Sequence, residues 1–234
     1  MRKRPLIAVT QSSRQSWLHN FALKLAIWLA GGRVLNINSA SNQHRFDYQA
    51  LLLGGGVDID PKLYGDLRKI GYHYQFERDE LELKHLAYAE QHHLPVFGIC
   101  RGCQLMNVYR KGTLCLDIEK VFENAQYPSH LLGYLFFRKT IYIQKPSLLF
   151  AISKQHSLKV NSIHKQAIAR LGQNLKITAW ERNQIIQAIE DPTKPFYFGV
   201  QFHPEFLIHK KIFLNLFRAF VKQASSKKQS EIPG

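Results

Sequence analysis

The sequence predicts an α/β fold, a mostly parallel sheet flanked by helices with extra β strands in the second half. Three observations carry that prediction. Short apolar runs alternate with helical-period stretches over the first 110 residues, and such runs suit strands covered on both faces. Two of the runs lead straight into glycines, at Gly54-Gly55-Gly56 and at Gly98-Ile99-Cys100-Arg101-Gly102. Open α/β sheets hold their ligands at such carboxyl ends of strands. From Leu135 onward, five strand candidates follow one another before a closing helix.

Leu6-Ile7-Ala8-Val9 is short and apolar, as a buried strand is. Residues 15–30 read as a helix, because Trp17, Phe21, Leu25 and Trp28 recur at spacings of three and four and Gly31-Gly32 follows. Val34 to Ile37 and Ala50 to Leu53 read as the next two strands. Residues 77–92 form the clearest helix: acidic residues crowd its first turns and His92-His93 its end, which complements the helix dipole. Pro95 to Ile99 is a buried strand and residues 101–110 a helix. Leu135 to Ile143, Leu158 to Asn161, Leu175 to Trp180, Ile185 to Glu190 and Phe196 to Phe202 are the later strands. Residues 206–223 close the pattern as an amphipathic helix. The expected organisation is a single domain over residues 1–224, with a disordered Ser/Lys-rich tail at 225–234. The stretch 119–134 has no readable period and is expected to be a loop over the site.

A chain of 234 residues can build one core without disulfides or metals. Its net charge of +15 suits a nucleic acid or membrane surface. Along the chain, however, the charge is scattered, with no Lys/Arg run longer than two beyond residue 4 and no aromatic-interleaved RNA signature. Neither a nucleic-acid nor a membrane partner is therefore expected. Three cysteines are odd in number and too few for a disulfide scaffold, which points to a reducing, cytoplasmic location. The apolar start is too short for a signal peptide, and Phe21 to Ala30 is too short for a membrane span.

The chemistry concentrates in three segments. Cys100, between a strand and a helix and flanked by Gly98 and Gly102, fits a nucleophile elbow with Cys in place of Ser. The free N–H groups at the start of the following helix favour a thiolate. His203-Pro204-Glu205 sets a histidine two residues from a carboxylate, and Pro204 disfavours helix at His203. In an extended segment both side chains face the same way, so Glu205 can hold one imidazole nitrogen while the other takes the thiol proton. The glycine triplet allows a main-chain N–H of Gly55 or Gly56 to join that of Arg101 as an oxyanion hole. The residues leave a rival open: Cys100 and Cys103 form a C-x-x-C pair, a redox spacing that would not need His203-x-Glu205. No metal is expected, because no paired C-x-x-C or H-E-x-x-H pattern is present.

Gly54-Gly55-Gly56-Val57-Asp58-Ile59-Asp60-Pro61, Tyr64-Gly65, Arg78-Asp79, residues 98–108, Gly112-Thr113-Leu114 with Asp117, Val160-Asn161-Ser162 with His164, and residues 199–206 together resemble a known family. It is the γ-glutamyl-γ-aminobutyrate hydrolase branch of the class I glutamine amidotransferase-like proteins. The resemblance implies a flavodoxin-like sheet and a Cys100, His203, Glu205 triad. It implies hydrolysis of a γ-glutamyl amide through a thioester, with no metal or organic cofactor. It further implies a substrate pocket at Gln104, Asn161, Ser162 and His164, and relatives of this branch are often homodimers. Two alternatives keep the fold: a glutaminase component delivering ammonia to a separate synthase, and a catalytically silent binding module. Lys111, Lys165 and Phe202 depart from the family pattern. Added positive charge near the pocket is expected to favour a carboxylate-bearing leaving group.

Overall fold

The computed structural model describes residues 3–11, 17–122, 137–162 and 164–230. β1 (Leu6–Thr10) lies next to one edge of a nine-stranded sheet. It pairs in parallel with β2 (Arg33–Ile37), the edge strand, and with β3 (Ala50–Leu53). β3 pairs in parallel with β4 (Val96–Ile99), and β4 with β11 (Tyr197–Val200). Every residue of β3, β4 and β11 is buried, as strands covered on both faces must be. Beyond β11 the sheet turns antiparallel, through β10 (Ile186–Glu190), β9 (Lys176–Glu181), β6 (Lys139–Ile143) and β7 (Ser157–Val160). The extra strands expected in the second half thus extend the same sheet. The parallel half carries the residues singled out for chemistry.

Helices cover both faces of the sheet. α1 (Trp17–Leu29) packs on one face with the final helix, Lys211–Ser230. α2 (Phe76–Gln91) and α3 (Arg101–Tyr109) cover the other. The stripe that reveals α1 in the sequence is not its buried side: Ala22, Leu23, Ala26 and Ile27 face the sheet, while Trp17, Phe21 and Trp28 are exposed. Small and branched side chains let a helix sit close to a twisted sheet, so the bulky aromatics are left outside.

Several boundaries differ from the sequence pattern. α4 (Ile118–Val121) and α5 (Leu148–Ser153) are short helices with little periodicity to betray them. β5 (Thr113–Cys115) and β8 (Ala167–Arg170) form a separate two-stranded sheet. The final helix, α6, begins at Lys211 instead of residue 206 and runs to Ser230, past the predicted end of order at Ala224. Residues 206–210 are held instead by a 3-10 turn, Pro204–Phe206, and the bend after it. Most of the loop expected over the site, 123–134, lies outside the described residues, as do 231–234.

Candidate active site

Cys100 sits between the last residue of β4 and the first of α3, at φ 52° and ψ −106°. A non-glycine residue at that φ carries strain of roughly 1–3 kcal/mol and must be held there by its surroundings. Part of the hold is visible. The Cys100 N–H donates to the Val200 carbonyl at 2.7 Å, which ties the elbow to β11. Gly102 lies so close to Leu53 that a Cβ there would overlap the Leu53 backbone. α3 can therefore start immediately behind Cys100 only because residue 102 has no side chain.

His203 follows β11 and reaches the same edge of the sheet. Its N–H donates to Asn161 Oδ1 at 3.3 Å, and its Nδ1 donates to Glu205 Oε1 at 2.8 Å. The expected extended segment is instead the 3-10 turn Pro204–Phe206, and it is this turn that folds Glu205 back onto the ring. The Cys100 sulfur interacts with the His203 ring, and Gln201 Nε2 donates to Cys100 Sγ at 3.5 Å. Burial alone would push the His203 pKa down; the Glu205 carboxylate and the Cys100 sulfur outweigh it and raise it to about 10. Burial likewise works to raise Glu205, but His203 beside it holds the carboxyl below its ordinary value. Both directions favour an imidazolium beside an ionised Glu205.

Sequence reasoning missed His19. It lies on α1, is 8% exposed, and places Nε2 3.2 Å from the same Glu205 oxygen that His203 uses. Its ring meets that of His203 edge-on, with centroids 5.4 Å apart. Burial lowers its pKa to about 4, so at neutral pH its ring is uncharged. A signal existed: a lone polar side chain on the sheet-facing side of α1. It was hidden because the aromatic stripe, not the buried face, marks that helix. His19, His203 and Glu205 are also, among the described residues, the one grouping whose ligand atoms are close enough to share a cation.

Arg101 and the glycine loop are joined by a buried ion network. The Arg101 guanidinium contacts both Asp79 and Glu82 of α2. Arg78 Nε donates to Glu82 Oε1 at 2.9 Å, and its Nη2 donates to the Gly55 carbonyl at 2.8 Å. Thr10 Oγ1 donates to Glu82 Oε1 at 2.8 Å, so β1 is tied in as well. With their carbonyls fixed inward, the N–H groups of this loop are constrained in orientation. Gly56 has φ +147°, and a Cβ on it would collide with the Arg78 guanidinium. Gly55 lies so close that a Cβ would meet His203 Cε1 at 3.0 Å and His19 Cε1 at 3.4 Å. Gly55 thus lies beside His203 and His19, and Arg101 directly follows Cys100 at the start of α3.

The remaining predicted pocket residues are buried in a polar chain beneath the site. Gln104 Nε2 donates to the Gln166 carbonyl at 3.0 Å and to Gln201 Oε1 at 3.1 Å. Ser162 Oγ donates to Gln187 Oε1 at 2.9 Å, and His164 Nδ1 bonds the Gln166 carbonyl at 2.6 Å. Burial lowers the His164 pKa to about 3, which keeps its ring neutral. Asn161 positions His203 directly, whereas Gln104 reaches Cys100 through Gln201. Cys103 lies at the back of the elbow, where a Cβ on Gly199 would meet its sulfur at 2.8 Å. Burial pushes its thiol well up, so it is a packing residue and a poor redox partner.

A cysteine elbow facing a histidine–glutamate pair, at the carboxyl edge of a parallel sheet wrapped by helices, defines a class I glutamine amidotransferase-like protein. The chain belongs to the peptidase C26 family, whose model matches residues 6–205. A Schizosaccharomyces pombe protein provisionally named a glutamine amidotransferase is 33% identical over 187 residues, which cover 78% of this chain and 72% of that protein. The γ-glutamyl-γ-aminobutyrate hydrolase PuuD of Escherichia coli K12 is 28% identical over 170 residues, 66% of this chain and 62% of PuuD. Among solved structures, a Thermoplasma acidophilum protein provisionally described as a component of GMP synthase shares the fold with a TM-score of 0.71. It covers 97% of this chain and 98% of its own, at 16% identity. Among the described residues no helix is long and apolar enough to cross a membrane.

Proposed function

We propose that the chain is a cysteine-dependent hydrolase of γ-glutamyl amides, working through a thioester on Cys100. The observation that carries this reading is the buried relay at one edge of the sheet: His203 interacts with the Cys100 sulfur and donates Nδ1–H to Glu205 at 2.8 Å. Family membership and the hydrolase among the relatives support hydrolysis as the reaction class.

In the first step the Cys100 thiolate attacks the amide carbon, and the oxygen gathers charge beside the Gly55 and Arg101 N–H groups. His203, as imidazolium, gives its proton to the departing amine while Glu205 steadies the ring. Water then enters, loses a proton to His203, and releases glutamate from the thioester. His19 is a positioning residue here: its ring meets that of His203 edge-on and lies beside the Glu205 carboxylate. Lys165 is exposed and electrostatically linked to Asp58 of the glycine loop, which places a cation beside that loop. A carboxylate-bearing leaving group is the substrate class that cation would favour.

The test is turnover of γ-glutamyl amides with anionic and neutral leaving groups, following release of glutamate and amine. The reading expects hydrolysis by the isolated chain, faster on the anionic series. Equal rates would discard the charge preference. Hydrolysis of glutamine only when a synthase partner is added would transfer the protein to the synthase-bound glutaminases.

A further inference from the structure

The net charge of +15 looks scattered when read along the chain, but the fold gathers much of it. Among the described residues, 3–11, 17–37 and 206–226 together contain eight Lys and Arg and no Asp or Glu. These two segments carry α1 and α6, which pack against each other on the same face of the sheet. Arg4, Lys24 and Arg33 are exposed on the first segment, and Lys211, Arg218 and Lys222 on the second. The same face exposes large apolar side chains: Trp17 is 76%, Phe21 55% and Trp28 58% accessible. Arg4 lies over the Trp28 ring at 5.6 Å. Between α1 and β2 an open groove of about 580 Å³ sets Phe21 and Trp28 beside Lys24 and Arg33.

We infer that the α1–α6 face is a docking surface for an anionic lipid bilayer, on which the protein lies as a peripheral enzyme. Charge complementarity selects an anionic partner, since no carboxylate of either segment offsets the cations. The apolar pattern selects lipid. Trp17, Phe21 and Trp28 run along one helix for eleven residues, roughly 16 Å at the helical rise. Leu25 and Leu29 fall between and beside them, so the stripe is continuous apolar surface instead of separated stacking platforms. An apolar stripe of Trp, Phe and Leu edged by Lys and Arg is the pattern of a helix lying in the plane of a membrane interface. A second copy of the chain would bring the same cations face to face, which opposes self-association. None of these residues belongs to the catalytic relay, so the inference stands apart from the proposed reaction.

The test is co-sedimentation of the full chain with vesicles of phosphatidylcholine alone and with phosphatidylglycerol added, together with Trp emission. Binding to the anionic vesicles is expected, with a blue shift, reversal by salt, and little binding to the neutral ones. Lys24→Gln, Arg33→Gln and Lys222→Gln should each weaken binding about fivefold. Trp28→Ser should abolish most of the blue shift, and all four variants should keep the wild-type rate of Cys100 alkylation, which reports an intact fold. Equal binding to both vesicle types, no binding, or binding indifferent to these substitutions would overturn the inference. So would a single-stranded oligonucleotide bound in place of vesicles, or a dimer dispersed by Trp28→Ser without vesicle binding.

Discussion

Glu205→Gln removes one charge from the centre of the relay and leaves its shape nearly unchanged. Glu205 is buried, and its Oε1 accepts the His203 Nδ1–H at 2.8 Å and lies 3.2 Å from His19 Nε2. The His203 pKa of about 10, against an ordinary 6.5, corresponds to roughly 5 kcal/mol in favour of the imidazolium. Burial opposes that preference; the Glu205 carboxylate is the largest influence sustaining it, ahead of Cys100. Losing the charge turns a charge-assisted hydrogen bond into an ordinary one, worth about 1.4 kcal/mol less, and so should weaken the thiolate–imidazolium pair about tenfold against the neutral thiol–imidazole pair. The assay is alkylation of Cys100 by iodoacetamide across pH, which needs no knowledge of the substrate. The wild type should react well at neutral pH; the variant should react about tenfold more slowly there and recover as the solution becomes alkaline. A variant alkylated at the wild-type rate with an unchanged pH profile would show that Glu205 does not support the ion pair.

Other consequences follow from the same geometry. His19→Phe keeps an aromatic ring but loses the polar ring nitrogen beside Glu205; kcat should fall roughly tenfold with KM little changed, and His19→Gln should recover most of the loss. A fall in KM and kcat alike, with no rescue by glutamine, would make His19 merely structural. Arg78→Met leaves Glu82 buried with one cation fewer and frees the Gly55 carbonyl. Denaturant unfolding should show a loss of about 3 kcal/mol or more. The raised His203 pKa makes a pH prediction. Its contribution to stability is complete below its unfolded value near 6.5 and is lost as pH rises through about 10. The melting temperature should therefore fall over that window more steeply for the wild type than for His203→Asn. Phe21→Ser changes an exposed side chain and should alter unfolding free energy by no more than about 0.5 kcal/mol.

Much of this architecture is legible in the sequence because the signals are local. The buried runs Leu6 to Val9, Ala50 to Leu53 and Pro95 to Ile99 need no partner to be recognised, and each is a strand of the parallel half. The elbow is legible for the same reason, since strand, glycines and cysteine are contiguous. His203 and Glu205 are two residues apart, so their pairing survives even though the intervening backbone is a 3-10 turn and not a strand. What the sequence hides depends on distant residues meeting. His19 lies more than 180 residues before Glu205, and only the packing of α1 beside the Pro204–Phe206 turn brings them together. The sequence marks Arg78 only as part of a motif and Arg101 only by its main-chain N–H; that their side chains hold the glycine loop emerges when α2 and α3 are set side by side. Trp17, Phe21 and Trp28 correctly mark a helix but mislead about its buried face, because periodicity reports that one side is apolar and not what covers it. β5 and β8 are short, and their pairing is set by tertiary contact more than by propensity.

The proposed reaction requires Cys100 to be the group that attacks a glutamyl carbonyl. Mass spectrometry after mixing the protein with a glutamine-like electrophile tests this most directly. The expected result is a single adduct on the peptide containing Cys100, absent in Cys100→Ala, retained in Cys103→Ala and much slowed in His203→Asn. Labelling that follows Cys103, or that proceeds equally well without His203, would contradict the account.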